Sequence, residues 1–238
     1  MKKSIASIPP LGRVITGFIA TLCLPVFLVP ASATGAETAA QLEPLPLVLP
    51  APSDKGTPVD LPSGPHIEPL SKEKRPPFLA PKGSRNVAAG KAVTSSVKPF
   101  IGELQQITDG KKEALDEHAV EMKRGLQYVQ VDLGQEHEIA AIVMWHDHRY
   151  FQVMHDAVVQ VSNDPEFQTG VITLFNNDLD NSAGLGVGTD REYFETYEGK
   201  LVDGKGTKAR HVRCYTQGSS DSALNSWAEI EVYAPPAK

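Results

Sequence analysis

The chain has 238 residues, of which 23 are basic and 29 are acidic, giving a formal net charge of −6 at pH 7. Nucleic acids and anionic lipid surfaces attract basic protein faces, so this charge balance argues against both as partners. Cys23 and Cys214 are the only cysteines. Because Cys23 belongs to the leader described next, the sequence predicts a fold without an internal disulfide.

Residues 1–33 have the pattern of a cleavable bacterial secretory signal peptide. Lys2 and Lys3 precede an apolar run over 14–29, and Ala31-Ser32-Ala33 supplies the small residues that precede a cleavage site. The run is short for a membrane span. We therefore expect cleavage, no membrane insertion of the mature chain, and an extracytoplasmic location, either secreted or periplasmic. Cleavage would leave 20 basic and 29 acidic residues, a net charge of −9.

Residues 34–85 are rich in proline and poor in aromatic side chains. Eleven of the 19 prolines lie here, and Phe78 is the only aromatic residue. We interpret stretches such as PLPLVLPAPSDKG as lacking both helical and strand periodicity. This composition buries too little apolar surface to offset the entropy of ordering the chain. The sequence therefore predicts a disordered proline-rich linker that tethers the following domain.

Residues 86–235 have the length of one domain and predict an all-β fold. Short alternating or apolar runs are separated by turn residues, which favours an antiparallel β-sandwich. The runs are YVQVDLG (128–134), IAAIVMW (139–145), AVVQVSND (157–164), HVRCY (211–215) and EIEVY (229–233). IAAIVMW is apolar at every position, as a strand buried on both faces would be. KKEALDEHAVEMKR (111–124) contains good helix formers but has no clear apolar stripe.

These runs, in this order, resemble the discoidin family, also called coagulation factor 5/8 type C domains. The family belongs to the galactose-binding-like jelly-roll β-sandwiches. The resemblance covers Asn86 to Tyr233. It is carried by NVAAGKAVTSS (86–96), ITDG (107–110), QYVQVDLG followed by IAAIVMWH, VVQVSND, ARHVRCY and WAEIEVY.

The resemblance implies a function and a metal site. Most members of the family are non-catalytic and bind glycans, membranes or proteins through loops at one end of the sandwich. Many carbohydrate-binding relatives hold a structural calcium ion with the aspartate of the DG loop and a glutamate near the start of the last strand. Those positions correspond to Asp109 and Glu229, and calcium prefers such hard oxygen ligands. The loop that follows DG here, KKEALDEHAVEMKRG, departs from the short polar loop of the family.

The window MWHDHRYF (144–151) is the candidate ligand-binding site. Its polar and aromatic side chains could contact the hydroxyls and the apolar face of a sugar ring. The ligand-binding prediction names His146, His148, Arg149 and Tyr150. The alternative is structural, in which Trp145 packs in the core and the histidines bond to neighbouring loops.

Two further metal-site hypotheses concern a histidine cluster and a polar loop. Residues two apart on a strand share a face, so His146 and His148, together with His155, could form a zinc or copper site. DLDNSAGLGVGTD (178–190) begins like an EF-hand loop. It has Ala183 where that loop needs glycine and Thr189 where it needs a bidentate acid, so a polar loop is the better interpretation.

The sequence does not predict an enzyme. There is no GxSxG nucleophile motif, Cys214 lies in a core-like strand, and no pair of carboxylates is singled out for glycoside hydrolysis. We therefore predict an exported, non-catalytic module that binds carbohydrate or a glycosylated surface. The alternatives are a protein-interaction or adhesion module that docks an exported partner without sugar, and a metal-binding protein that uses the histidine cluster.

Overall fold

The computed structural model describes residues 41–53 and 60–237, and within these ranges it is almost entirely β-structure. Two short 3-10 helices lie at Leu104–Thr108 and Asp116–His118. The strands are β1 (Leu42–Pro44), β2 (Leu79–Pro81), β3 (Arg85–Asn86), β4 (Ala92–Ser95), β5 (Val120–Met122), β6 (Gln127–Trp145), β7 (Val153–Met154), β8 (Val158–Ser162), β9 (Ile172–Asn176), β10 (Tyr193–Phe194), β11 (Lys200–Thr216), β12 (Asn225–Trp227) and β13 (Glu229–Ala234). Every pairing between these strands is antiparallel. The predicted all-β, antiparallel fold class is confirmed.

The two longest strands, β6 and β11, pair with each other and connect two layers. Shifts in their register near residues 203–211 divide each strand into two halves, as bulges do when they bend a sheet. The first half of β6 pairs with β4 and its second half pairs with β13, while the second half of β11 pairs with β8. Because the same two strands serve both layers, the layers fold over one another.

The main core lies between these layers. Val129, Val131 and Leu133 from the first half of β6 and Ile142 and Met144 from its second half belong to one buried cluster. Side chains that alternate along a strand point to opposite faces of the sheet. Both halves of β6 therefore direct one face into a shared interior, which is the arrangement of a β-sandwich.

The opposite face of the second half of β6 forms a separate cluster. Ala141, Val143 and Trp145 are fully buried there, together with Ala228 and Tyr233. IAAIVMW is thus buried on both faces, as its sequence predicts. Something other than the sandwich core must cover this outer face.

The proline-rich segment provides that cover, and the described part of it is packed rather than disordered. Leu45, Leu47, Leu49 and Phe78 lie against Trp145 and its neighbours. β1 pairs with β2, which brings residues 42–44 and 79–81 of the segment together. The prediction of a disordered linker is therefore wrong for these residues. The reason is that leucines at every second position of an extended chain share one face.

The described residues between 60 and 78 are also fixed to the sandwich. The Arg75 guanidinium donates to the backbone carbonyls of Glu198 and Gly199 at 2.9 and 2.7 Å. Lys200 pairs with Glu68 at 2.7 Å. The backbone of Ile67 forms a bridge to Glu192. These contacts hold the described residues 60–78 against the part of the sandwich at residues 192–200.

The segment 111–124 contains a single 3-10 turn and strand β5 rather than a helix. Val120 and Met122 are fully buried, and their spacing of two is that of a strand. β5 pairs with β12, so the segment closes one end of the sandwich.

The predicted signal peptide, residues 1–33, lies outside the described residues. Within the described ranges, no helix has the length and apolar character needed to span a membrane. The predicted linker and domain boundaries at residues 34, 85 and 235 stay predictions.

Candidate functional site

A cleft of roughly 260 Å³ opens at the end of β6. The chain leaves β6 at Trp145 and turns through His146–Tyr150, which forms one wall. The facing wall comes from residues 219–226, the loop that leads into β12. The polar lining of the cleft as a whole includes Glu121, Gln152, Ser219, Asp221, Ser222 and Ser226. A cleft of this size suits a small ligand or the terminal unit of a larger one.

Arg149 lies in the wall of the cleft, and each of its three guanidinium nitrogens already donates to a carboxylate. Its Nε donates to the Asp147 carboxylate at 2.9 and 3.1 Å, and Nη2 donates to the same group at 2.6 Å. Nη1 donates to Asp116 at 2.5 Å. Hydrogen bonds from Asp147, followed by those from Asp116, raise the pKa of the guanidinium further above its usual value. The two carboxylates hold Arg149 in a fixed orientation.

Tyr150 is the aromatic side chain at the mouth of the cleft. It is 45% exposed, and the Arg149 guanidinium lies 5.9 Å from its ring centroid. An aromatic side chain that remains exposed beside a polar cleft presents an apolar face next to hydrogen-bonding groups. This pairing is what a ring with both apolar and hydroxylated surfaces needs.

His146 lies at the floor of the cleft and is fully buried. Its Nδ1 is 2.9 Å from Oε2 of Glu195, which is also fully buried. The imidazole lies 4.4 Å from the Trp227 ring, centroid to centroid. Glu195 and Trp227 together fix the ring, so His146 supports the wall from within the core.

The other two histidines of the predicted cluster do not join His146. His148 is 1% exposed, with Nε2 at 2.9 Å from the Lys112 carbonyl and Nδ1 at 3.1 Å from Ser53 Oγ. His155 pairs with Glu192 at 2.7 Å. β6 ends before His146, so the strand rule that would align His146 with His148 no longer applies. Among described residues, no group of three metal-ligating side chains includes a histidine.

The loop that forms the facing wall is held from below by Asn225. Its fully buried amide oxygen accepts from Thr216 Oγ1 at 2.8 Å and from the Gly218 N–H at 3.0 Å. The amide nitrogen donates to the carbonyls of Lys123 and Gly125. A buried amide with this many partners fixes the start and the end of the loop relative to each other.

The same loop is attached to β7. Ser220 donates its backbone N–H to the Val153 carbonyl, and its Oγ accepts from the Val153 N–H, both at 2.9 Å. Ser219 Oγ donates to Gln152 at 2.6 Å. The walls of the cleft therefore form one hydrogen-bonded unit.

The residues predicted from the sequence lie in one wall of this cleft, and the other wall was not predicted. His146, Arg149 and Tyr150 line it, whereas His148 does not. The missed wall is QGSSDSALNSW (217–227), which is rich in serine and carries Asp221. This composition between β11 and β12 indicated a polar loop. Which end of the sandwich that loop occupies depends on the strand pairing.

The two predicted calcium ligands, Asp109 and Glu229, both accept hydrogen bonds from the backbone of the turn at residues 109–111. Both carboxylate oxygens of Glu229 are 3.1 Å from the Gly110 N–H, and Asp109 Oδ1 accepts from the Lys111 N–H at 2.8 Å. Burial raises the pKa of the Glu229 carboxyl to about 9. These oxygens are hard ligands that suit calcium.

A buried lysine already supplies positive charge at this position. Lys112 Nζ is 2.5 Å from Glu231 Oε1, and both side chains are more than nine-tenths buried. The ammonium also lies 4.8 Å from the Trp145 ring centroid. Lys112 belongs to the loop that departs from the family pattern. An ammonium here argues against a second cation beside Glu229, because the two would repel each other.

The loop at 178–190 brings three carboxylates within 4.8 Å of one another, those of Asp156, Asp178 and Asp180. Ser182 links all three. Its N–H donates to Asp178 and Asp180, and its Oγ donates to Asp156 at 2.9 Å. Burial is the main cause that raises the pKa of Asp156. Donors within the loop therefore already bond to at least one oxygen of each carboxylate.

No protein-family model matches the chain. No match was found among curated proteins either.

Several solved structures are similar to the chain. One is a family 89 glycoside hydrolase from Clostridium perfringens, with 16% identity and a TM-score of 0.48 over 64% of this chain and 15% of that chain. Another is the CBM32-4 module of Clostridium perfringens in complex with GlcNAc-alpha-1,4-galactose, with 14% identity and a TM-score of 0.49 over 65% and 97%. A fucose-binding module from Streptococcus pneumoniae has 17% identity and a TM-score of 0.44 over 64% and 99%.

The chain spans about 15% of the length of the hydrolase. At these identities and TM-scores, the similarities assign no ligand and no activity to this chain. The likeness to these structures is one of fold alone.

Proposed function

We propose that this protein is an exported, non-catalytic module that binds carbohydrate through the cleft between residues 146–150 and 219–226. One observation carries the proposal. Tyr150 stays 45% exposed at the mouth of a cleft whose lining is rich in hydroxyl, amide and carboxylate groups.

The chemistry of the lining supports a hydroxylated ligand. Ser222 and Ser226 offer hydroxyls that both donate and accept, and Glu121 and Asp221 are acceptors. A sugar ring needs alternating donors and acceptors around its edge and an apolar platform against one face. The exposed ring of Tyr150 supplies the platform at low conformational cost, because a tyrosine has few side-chain torsions.

The rigidity of the cleft also supports binding rather than turnover. Asp147 and Asp116 fix Arg149, while Asn225 fixes the facing loop. A site that is already ordered loses less entropy when its ligand binds. We propose a lectin-like role in which recognition, and not a reaction, is the outcome.

Tyr150→Ala tests this function. We expect the wild-type protein to bind a subset of a glycan array and the variant to bind the same glycans at least about tenfold more weakly, because the stacking platform is lost. Val187→Ser is the matched control, since Val187 is 68% exposed and does not line the cleft. Silence of the wild-type protein on the array, or equal binding by Tyr150→Ala, would contradict the proposal.

The resemblance to discoidin domains implies calcium at Asp109 and Glu229, whereas the buried Lys112 ammonium beside this site argues against it. A bound ion would raise the Tm in calcium relative to a chelator. Because of the Lys112 ammonium, we expect the two melting curves to coincide. A higher Tm in calcium that Asp109→Asn abolishes would instead establish the predicted site. A shift that survives Asp109→Asn would point to the Asp156–Asp178–Asp180 loop.

A further inference from the structure

The cleft carries more negative than positive charge. Glu121, Asp147 and Asp221 line it, and Arg149 is the one basic residue among its described lining residues other than histidine. Charge in a partly enclosed cleft acts on a ligand more strongly than the same charge on an open surface, because the walls exclude solvent. The excess of negative charge in the cleft therefore influences which ligands bind there.

Arg149 does not supply a receptor for an anion. Its Nε and Nη2 donate to Asp147, and its Nη1 donates to Asp116. Recognition of a carboxylate or sulfate by arginine depends on a fork of two N–H donors directed at the ligand. Here that fork is directed at Asp147, so the charge of Arg149 is neutralised within the protein.

Glu121 and Asp221 provide the uncompensated charge. Within the described residues, neither carboxylate forms an ion pair with lysine, arginine or histidine. Glu121 lies on β5 and is half-buried, and Asp221 is exposed on the facing loop. The two residues thus flank the same cleft from different elements of the fold.

The backbone holds these two positions firmly. Glu121 donates its N–H to the Ile101 carbonyl and accepts from the Phe100 N–H, both at 3.0 Å, and it pairs with Ser226 across β5 and β12. Asp221 donates its N–H to Ser219 Oγ at 3.2 Å. The backbone that carries both carboxylates is therefore fixed before a ligand enters the cleft.

From this charge distribution we infer that the cleft selects sugars with a free, protonated amine over acidic sugars. The inference rests on the proposed carbohydrate-binding function and names the class of ligand. The ammonium of a hexosamine would donate to Glu121 or Asp221, while its hydroxyls bond to the serine hydroxyls. A uronate or a sulfated sugar would bring a second negative charge into the same cleft and be repelled.

Three oligosaccharides of equal length test the inference by calorimetry on the full chain: a glucosamine tetramer, its N-acetylated form and a galacturonate tetramer. The buffer is acidic enough to protonate the sugar amines. We expect the glucosamine tetramer to bind most tightly and the galacturonate tetramer most weakly. We expect Glu121→Gln and Asp221→Asn each to weaken the glucosamine tetramer about three- to fivefold, as a partly exposed ion pair would. Salt should weaken this binding as well.

Asp203→Asn is the charge-matched control. It removes one negative charge from an exposed position that does not line the cleft, and we expect unchanged binding. If the N-acetylated or galacturonate tetramer binds as tightly as the glucosamine tetramer, the charge inference is wrong and the proposed function stands. If none of the three tetramers binds and no glycan on an array binds, the proposed function fails, and the inference fails with it.

Discussion

Replacing Leu45, Leu47 and Leu49 together with serine should lower the free energy of unfolding by about 3 kcal/mol. The three leucines are half-buried on the outer face of β6, where they cover Trp145. Serine would remove that apolar cover and expose the face to water. Unfolding in urea, followed by tryptophan fluorescence, measures the change. The native emission should also shift toward that of solvent-exposed tryptophan.

Val48→Ser is the control for this experiment. Val48 lies between two of the leucines but is 73% exposed, so its replacement should change the free energy of unfolding by less than about 0.5 kcal/mol. An unchanged urea midpoint for the triple variant would mean that the segment does not stabilise the domain. The disordered linker expected from composition would then be the correct description of it.

Lys112→Met should lower the free energy of unfolding by about 3–5 kcal/mol, because it leaves the buried Glu231 carboxylate without its cation. Methionine keeps most of the length of the side chain, so packing against Trp145 is largely preserved. Glu231 also accepts from the Tyr233 hydroxyl at 2.8 Å, and this bond remains in the variant. The loss is therefore assigned to the ion pair, and chemical denaturation measures it.

Two further variants separate the ion pair from other effects. Lys111→Met changes the neighbouring lysine, whose side chain is 62% exposed and 3.8 Å from Asp109. It should cost less than about 0.5 kcal/mol. The double variant Lys112→Met with Glu231→Gln should be more stable than Lys112→Met alone, because no buried charge is left unpaired. Equal losses for Lys111→Met and Lys112→Met would contradict the assignment.

Strand periodicity explains why the fold class could be predicted. In β6, Val129, Val131 and Leu133 alternate with more polar residues, and that spacing specifies a sheet with one buried face. The continuous apolar run that follows specifies burial on both faces. These are local properties of the chain, because side chains two residues apart share a face whatever the rest of the protein does.

The same spacing occurs in the proline-rich segment. Leu45, Leu47 and Leu49 follow a spacing of two, but prolines between them suggested a chain without partners. Proline removes a backbone donor, which limits pairing in a sheet without preventing an extended chain from packing its side chains. The burial of IAAIVMW on both faces required a cover, and composition alone did not indicate which segment supplied it.

The candidate site also has one part that the local sequence predicts and another part that depends on the tertiary structure. The sequence alone determined that a polar, aromatic turn of His146–Tyr150 follows a buried strand, since both features are local. Only the tertiary structure decided that Arg149 and Tyr150 face the loop at 219–226 while His148 turns toward Lys112 and Ser53. That outcome depends on the pairing of β5 with β12 and of β6 with β13. Those pairings join residues 84 to 107 positions apart, and no local pattern encodes them.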